Sequence, residues 1–292
     1  MKVVVTIPAY NEEKTIGRVI SNIKKIMDSG KYNYKILVVD DGSKDNTVNI
    51  SKKLGAIVYS HPSNYGLAET FKSEMKKCLE LKADVIVHID ADGQYVASEI
   101  PKLIDGVKKG NDLVLGSRFK GKIECMPFIK KLGNRLFSRI ISNISGVTIS
   151  DAQTGFRAFN SKVAQLGIIS SFTYTQEQII RAVKNKFKVK EVPIYFAKRK
   201  GKSRLMRNPF DFAIKAWLNI FRVYRDYEPM KLFGRIGGFF LSVGFLLGLW
   251  LVYLYLTEGV IGKVPSLILS MLLIVTGIQI TLFGFLADMN RR

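Results

Sequence analysis

The chain has 292 residues, 47% of them hydrophobic and 24% charged, which allows one large domain with an appendage or two domains. This composition excludes a chain too polar to bury a core. Its 45 Lys and Arg against 24 Asp and Glu give a formal charge of +21, which favours anionic partners such as nucleic acid, phosphorylated molecules or an anionic membrane. Cys78 and Cys125 are too few for a zinc site, so we expect two reduced thiols.

Short apolar strands and amphipathic helices alternate along the first part of the chain. Lys2–Pro8 is apolar and β-branched, and Lys14–Met27 repeats apolar residues at helical spacing. The alternation continues with strands and helices at Tyr34–Val39, Asn46–Leu54, Ala56–Ser60, Gly66–Leu81, Asp84–Ile89, Glu99–Lys109 and Asp112–Ser117. This order predicts an α/β fold with a mostly parallel central sheet and helices on both faces.

Polar motifs follow three of the predicted strands, at the sheet edge where ligands bind in such folds. In DADGQ, Asp90 and Asp92 are alternate residues that point the same way and repel each other unless a cation or donor lies between them. Gln94 adds a third oxygen ligand. The spacing favours a Mg²⁺ or Mn²⁺ site at Asp90, Asp92 and Gln94; the alternative is a solvated turn.

The other two strand ends favour a nucleotide. Asp41 follows the strand that ends at Val39, where a carboxylate commonly accepts hydrogen bonds from a ribose or base. After the first strand, Tyr10 could stack on a base and Glu12 could accept a hydrogen bond. The alternative for each is a helix cap or a loop.

The histidines and one basic stretch complete the polar candidates. We expect His88 to be a packed core residue and His61 a loop residue, neither with a partner that indicates catalysis. Lys198–Arg204 could hold a phosphate, since arginine forks suit phosphate, or it could be an exposed loop.

Two apolar stretches near the end of the chain are long enough to cross a bilayer. Gly234–Leu256 contains one charge and Ser266–Leu286 none, and each approaches the ~20 residues that a span needs. The alternative is a buried hairpin of a soluble core. The basic bulk before the first stretch and Arg291 and Arg292 after the second predict a cell-membrane protein with two spans, whose large domain and C-terminus are cytoplasmic.

Two further segments are amphipathic and basic. Ile129–Ile144 carries an apolar stripe beside Lys and Arg, and it could face a core or lie among lipid headgroups. For Phe210–Tyr224 the headgroup position is favoured, because a predicted span follows directly. We therefore expect a cytoplasmic catalytic domain over 1–206, an amphipathic juxtamembrane segment over 207–231 and the two spans within 232–292.

Several motifs together carry a family resemblance over residues 1 to 225. They are IPAYNEEKTI, ILVVDDGSKDNT, GLAET, HIDADGQY and VLGSRF, followed by SDAQTGFRAF, QEQIIRA and VPIYFAKRKGKSRL. This set resembles family 2 glycosyltransferases of the GT-A fold, and within them the dolichol- and polyprenyl-phosphate sugar synthases. Between Arg199 and Arg204 the chain is shorter and more basic than some members of that group.

The resemblance implies a role for each matching residue. The nucleoside site would consist of Pro8, Tyr10, Glu12, Val39 and Asp41. The diphosphate would meet Asp90, Ala91 and Asp92, with the metal held by Asp90, Asp92 and Gln94. Phosphates of donor or acceptor would bind Arg118, Arg199 and Arg204, and the acceptor phosphate would lie near Asp151 and Arg157. The catalytic group would be Asp92, Arg118, Asp151, Arg157 and Arg199.

The resemblance also implies the reaction: inverting transfer of a hexose, with GDP-mannose the favoured donor, to dolichyl or polyprenyl phosphate at a lipid bilayer. UDP-glucose or UDP-N-acetylhexosamine is the alternative donor. A processive polysaccharide synthase is disfavoured, because neither Trp217 nor Trp250 follows an arginine and only two spans are predicted. A basic membrane adaptor or nucleic-acid binder is also disfavoured, since a polyanion binder gains nothing from clustered carboxylates.

Overall fold

The computed structural model describes residues 1–169, 174–198, 218, 221–222, 225–259 and 264–290. The chain divides into two compact units, Met1–Arg204 and Leu205–Arg292.

The first unit follows the predicted order of strands and helices as far as residue 117. Its strands are β1 (Lys2–Ala9), β2 (Asn33–Asp40), β3 (Ile57–Ser60), β4 (Val85–His88), β5 (Leu113–Ile123), β6 (Arg157–Asn160) and β7 (Val189–Phe196). Its helices are α1 (Ile16–Ser29), α2 (Thr47–Lys53), α3 (Leu67–Glu80), α4 (Ile100–Lys108), α5 (Phe128–Ser145), α6 (Ser161–Gln165) and α7 (Thr175–Lys184). A short 3-10 turn, Ala97–Glu99, leads into α4.

The described strands form one seven-stranded sheet in the order β3-β2-β1-β4-β6-β5-β7. The pairs among β3, β2, β1 and β4 are parallel, as is the pair of β5 with β7. Strand β6 runs antiparallel to both of its neighbours, β4 and β5. The prediction of a mostly parallel sheet is confirmed, and β6 is an antiparallel strand that the sequence pattern did not indicate.

The sheet is covered on both faces, which explains the apolar runs in its central strands. Alternate residues of β1, beginning with Val3, share a core cluster with α1 and α4, whereas the residues between them face the side where α3 packs. The predicted stripe of α1 is confirmed by its buried residues Ile16, Val19, Ile20, Ile23 and Met27. Full burial of an Ile or Leu side chain contributes about 1.5–3 kcal/mol.

The two halves of helix α5 lie in different environments. Its C-terminal half packs into the fold through the buried side chains of Phe137, Ile141 and Ile144. In its N-terminal half, Leu132 and Leu136 are exposed. The predicted stripe is therefore a core-facing stripe only in part.

The second unit contains α8 (Pro229–Glu258) and α9 (Val264–Met289), which pack against each other and are long and apolar enough to cross a membrane. The predicted spans 234–256 and 266–286 lie inside these helices. Their contact is lined by small residues seven apart, Gly237 and Gly244 in α8 and Ser270, Gly277 and Gly284 in α9. Ser270 Oγ donates to the Gly244 carbonyl at 2.8 Å. Most of the predicted segment 207–231 lies outside the described residues.

Candidate active site

The carboxyl ends of β1, β2 and β4 meet at one edge of the sheet. The backbone N–H of Asp41, just past β2, donates to the Ala9 carbonyl at 2.8 Å, and that of Ile89, just past β4, donates to the Thr6 carbonyl at 3.1 Å. The parallel register thus brings the three polar motifs to one edge, as a ligand site in an α/β sheet requires.

The turn after β4 presents two carboxylates. The Asp90 side chain is 35% exposed, while Ala91 between the two acids is buried. Gly93 reverses the chain with φ 73°, a conformation that L side chains rarely adopt. The backbone N–H of Gln94 then donates to Asp92 Oδ1 at 3.0 Å, which fixes the second carboxylate.

Asp92 lines a cavity of about 480 Å³ on the α1 side of the sheet. The cavity mixes charges of both signs, with Asp92 and Glu124 beside Arg18 and Lys198. Its volume lies in the usual range for small-molecule sites. Asp90 does not line this cavity, so the two carboxylates of the turn meet different surroundings.

The predicted metal site at Asp90, Asp92 and Gln94 stays a prediction. Within the described residues no group of three or more His, Cys, Asp or Glu is placed to hold a metal. Two carboxylates completed by phosphate oxygens is a common arrangement for Mg²⁺. Gly155 lets the Asp90 carboxylate pack against its backbone, because a Cβ there would lie 2.9 Å from Asp90 Oδ2. Gln94 Nε2 donates to the Ala197 carbonyl at 3.3 Å, which leaves the amide oxygen as the atom that could reach a cation.

Asp41 is held by the loop between β3 and α3, a contact that the sequence did not indicate. Its carboxylate accepts hydrogen bonds from the backbone N–H groups of Tyr65 and Gly66, both at 2.9 Å. His61 Nδ1 lies 2.9 Å from Asp41 Oδ1, and His61 Nε2 lies 2.8 Å from Ser73 Oγ. His61 lies between β3 and α3, in a loop as predicted, but its Asp41 and Ser73 partners were not foreseen. The histidine is buried and joins Asp41 to α3.

The other residues predicted to bind the nucleoside differ in the exposure and contacts of their side chains. Tyr10 is 37% exposed, whereas the Val39 side chain is fully buried and Pro8 is buried in β1, so only the backbone of Val39 and Pro8 could meet a ligand. Glu12 Oε2 accepts a hydrogen bond from Thr15 Oγ1 at 2.7 Å, just before α1 begins. This contact is the one expected if Glu12 belongs to a helix cap or loop. Binding of the nucleoside by Glu12 stays a prediction.

A buried polar cluster lies behind Asp90. His88 Nδ1 is 2.8 Å from Glu74 Oε2 and His88 Nε2 is 2.8 Å from the Tyr174 hydroxyl, with Asp90 Oδ1 at 3.7 Å. Burial lowers the pKa of His88, but the charge of Glu74 and hydrogen bonding to Asp90 and Glu74 outweigh it and raise the pKa to about 9. His88 is a core residue as predicted, and its contacts with Glu74 and Tyr174 were not foreseen.

Arg118 is paired inside the protein. Its Nε and Nη2 each donate to an oxygen of the Asp151 carboxylate at 2.7 Å, and its backbone N–H also donates to Asp151 at 3.0 Å. Both side chains are buried. The structure therefore brings Arg118 and Asp151 together, and a phosphate contact of Arg118 stays a prediction.

Glu191 in β7 supports this pair and was missed by the sequence analysis. Its carboxylate accepts from the backbone N–H groups of Ser150 and Asp151 at 2.9 and 3.0 Å, and from Lys120 Nζ at 2.9 Å. The sequence analysis predicts no strand at 189–196, so no signal in the sequence indicated this contact. Glu191 fixes the loop that carries Asp151.

Arg157 is fully buried at the start of β6, opposite His88 in the sheet. Its guanidinium donates to the Thr154 carbonyl, to the Thr175 carbonyl at 3.1 Å and to Gln178 Oε1 at 3.0 Å. Burial lowers its pKa. The guanidinium is enclosed by protein groups, and its contact with an acceptor phosphate stays a prediction. Arg199 and Arg204 lie outside the described residues.

Comparison with known proteins identifies the family. The sequence profile of Glycosyl transferase family 2 matches residues 4–167. Dolichol-phosphate mannosyltransferase of Pyrococcus furiosus is 31% identical over 290 residues, which cover 93% of this chain and 78% of that protein. UDP-N-acetylglucosamine--dolichyl-phosphate N-acetylglucosaminyltransferase of Methanococcus voltae is 36% identical over 215 residues, which cover 64% of this chain and 82% of that protein.

The fold also matches solved structures. Glucosyl-3-phosphoglycerate synthase of Mycobacterium tuberculosis, in complex with Mn²⁺, UDP and glucosyl-3-phosphoglycerate, superposes with a TM-score of 0.58 at 19% identity, covering 75% of this chain and 79% of that chain. At this identity the likeness concerns the fold alone. The fold, the match over residues 4–167 and the identity to these relatives show that the chain belongs to glycosyl transferase family 2, of the GT-A fold.

Proposed function

We propose that this glycosyltransferase moves a sugar from a nucleotide-sugar to dolichyl or polyprenyl phosphate at a membrane, with inversion at the anomeric carbon. The observation that carries the proposal is the turn after β4, which places Asp90 and Asp92 beside the ends of β1 and β2. Relatives named for dolichyl-phosphate transfer and the two membrane-length helices in the same chain support the acceptor.

On the donor side the carboxylates would bind the diphosphate through a cation. Asp90, Asp92 and Gln94 would hold Mg²⁺ or Mn²⁺, whose chemistry is to neutralise charge on the departing diphosphate oxygen. Tyr10 would stack on the base and Asp41 would accept a hydrogen bond from the nucleoside. The loop that ends at Gly66 keeps the Asp41 carboxylate oriented before the donor arrives.

The acceptor side needs no general base. A lipid phosphate is already ionised near neutral pH, so no proton must leave its oxygen before attack. In a single displacement, an acceptor phosphate oxygen forms the bond to the anomeric carbon. The bond from that carbon to the donor's diphosphate breaks, and its electron pair leaves with the nucleoside diphosphate. Arg199 and Arg204 would hold the phosphates, and the buried pair of Arg118 and Asp151 would shape the pocket.

The chain would be anchored by α8 and α9 as two membrane spans, with the catalytic domain over 1–206, the juxtamembrane segment over 207–231 and the C-terminus on the cytoplasmic side. The excess of Lys and Arg before α8 supports this orientation. Substrate and anchor would then meet at the same bilayer surface.

Two donors compete. GDP-mannose is favoured by the motif resemblance and by the mannosyltransferase relative that is similar over 93% of this chain. UDP-N-acetylglucosamine is the second candidate, because the relative named for that donor is 36% identical.

The direct test measures transfer to lipid. The full chain in detergent, with Mg²⁺ or Mn²⁺ and a short polyprenyl phosphate, would be offered radiolabelled GDP-mannose, UDP-glucose and UDP-N-acetylglucosamine in turn. We expect label from one donor to enter the lipid phase and EDTA to abolish its entry. The anomeric configuration of the product should be inverted.

Three outcomes would contradict the proposal. Transfer without a divalent cation would remove the metal role, and a retained configuration would exclude single displacement. Failure to bind or use any donor, in protein whose fold is intact by circular dichroism, would favour a basic membrane adaptor instead.

A further inference from the structure

The Asp41 carboxylate has few positions left for a ligand. Its side chain is 7% exposed, and it lies at the edge of the sheet where β1, β2 and β4 end. An ionised carboxylate has two oxygens with about four positions that accept hydrogen bonds, and it has no hydrogen to donate. The number of these positions that the protein fills therefore decides which edge of a nucleoside base can bind there.

The loop between β3 and α3 fills most of these positions. The backbone N–H of Tyr65 donates to Asp41 Oδ1 and that of Gly66 donates to Asp41 Oδ2, both at 2.9 Å. His61 Nδ1 lies 2.9 Å from Oδ1. Because the carboxylate oxygen only accepts, Nδ1 must be the donor, and His61 Nε2 can then accept from the Ser73 hydroxyl at 2.8 Å. Among the described residues, Oδ1 thus has two partners and Oδ2 has one.

The same loop fixes this arrangement before a ligand binds. Gly42 has φ 76°, and a Cβ there would lie 2.6 Å from the Ser63 carbonyl carbon, so the loop crosses directly over the backbone next to Asp41. The buried His61 ring packs against the Tyr65 ring, with 4.9 Å between the ring centres. Turning the carboxylate would leave these buried donors without their acceptor, which is costly. The position that remains on Oδ2 is therefore the one that a base can use.

The two candidate bases differ in the number of donors that they present. The base-pairing edge of uracil has one N–H group, which lies between two carbonyl oxygens. The base-pairing edge of guanine has two adjacent donors, a ring N–H and an exocyclic amino group, which together suit the two oxygens of a carboxylate. A single acceptor position on Oδ2 fits uracil, whereas guanine would leave its second donor without a partner in a buried contact.

We propose that Asp41 selects a uracil base, so that the donor of this enzyme is a uridine diphosphate sugar. The inference rests on the proposed function, because it concerns the nucleotide-sugar of that reaction. It decides between the two competing donors on hydrogen-bond geometry, which the motif resemblance does not consider. It fixes the base and not the sugar, since the contact involves only the nucleoside.

The test measures binding, and it needs neither lipid nor turnover. The full chain in detergent with Mn²⁺ would be titrated by calorimetry with UDP, GDP and inosine diphosphate. Inosine diphosphate is the matched control for GDP, because its base has the ring system of guanine but lacks the exocyclic amino group. We expect UDP to bind at least about tenfold more tightly than GDP. Inosine diphosphate should bind with an affinity between the two, since it keeps one N–H donor and loses the unpaired one.

A pair of variants would show that Asp41 is the source of the preference. Asp41→Asn should bring the affinities for UDP and GDP to within about threefold of each other, because the amide no longer offers the same acceptor. Asp45→Asn removes a charge from the same loop, where Asp45 contacts Thr47 and the backbone of Glu13, and it should keep the preference for UDP. The ligand series on the wild-type chain stands without either variant.

GDP binding as tightly as UDP would overturn the proposal. Weaker binding of inosine diphosphate than of GDP would also overturn it, because the amino group of guanine would then have a partner. So would an unchanged preference in folded Asp41→Asn protein. Failure of the proposed function has a different signature. If none of the three diphosphates binds, both fall, whereas a preference for UDP without transfer of sugar to lipid would overturn the reaction and leave the choice of base intact.

Discussion

The two ends of the candidate site differ in how exposed their charges are. On the proposed donor side, Asp90 is partly exposed at a strand end, and its turn is completed by backbone contacts. On the proposed acceptor side, Arg118, Asp151 and Arg157 are buried and bound by protein groups. Asp41 of the proposed donor side is buried and held by protein groups in the same way. The Asp90 carboxylate is thus open to a ligand, whereas the buried charges first hold the fold together. Motif matching treats both sets as ligand-binding residues and does not see this difference.

The comparison predicts the largest effect for Asp151→Asn. Removing one partner of a buried ion pair leaves Arg118 uncompensated, which costs about 3–5 kcal/mol. We expect a large fall in thermal unfolding temperature together with loss of activity. Replacing both partners, Arg118→Met with Asp151→Leu, should recover much of the stability. An Asp151→Asn protein as stable as the wild type would show that the pair does not support the fold.

Asp92→Asn should separate activity from stability. The side chain is only partly buried and lies in a turn, so the unfolding temperature should change little. Transfer should fall about 100- to 1000-fold, as when one preorganised electrostatic group is removed from an active site. The matched control is Asp84→Asn just before the same strand, a largely exposed carboxylate that should leave transfer unchanged. Equal loss in both variants would point to a damaged strand.

Glu191→Gln tests the support of the acceptor loop. The charge-assisted hydrogen bonds from the backbone N–H groups of Ser150 and Asp151 would weaken. This should lower the free energy of unfolding by about 1.5–3 kcal/mol. Lys120→Met removes the more exposed partner of Glu191 and should cost less than about 1 kcal/mol. Thermal unfolding of the two variants side by side gives the comparison. A larger loss of stability for Lys120→Met than for Glu191→Gln would show that the ion pair, and not the hydrogen bonds to Ser150 and Asp151, holds the loop.

The smallest effect concerns the two thiols. Burial, with the charge of Glu74, raises the pKa of Cys78 well above its ordinary value, so little reactive thiolate forms near neutral pH. Cys125 is exposed. A thiol reagent should modify Cys125 quickly in the folded protein and Cys78 only after unfolding, as mass spectrometry of peptides would show. Rapid labelling of Cys78 would mean that α3 opens from the sheet.

The sequence was sufficient for the parallel half of the fold and for the position of the turn that carries Asp90 and Asp92. Short apolar, β-branched runs predict β1, β2 and β4, and the meeting of their polar ends follows from how parallel strands align. The sequence did not predict β6, because four residues without a clear hydrophobic period do not reveal a strand that pairs antiparallel between β4 and β5. The partners of His61, His88 and Glu191 were missed for another reason: each contact joins residues distant in sequence, which only the folded register brings together.

The position of β6 between β4 and β5 also affects the nascent chain during synthesis. The strand that leads into Asp90 has an unpaired edge until Arg157–Asn160 has been made, so a nascent chain stopped before that point presents an open apolar strand edge. Such an edge is a template for aggregation. Because β5 also needs its partner β7, ribosome pausing or truncation should be far more harmful before residue 160 than between residue 196 and the start of α8. A series of truncated chains would measure this difference as insoluble fraction.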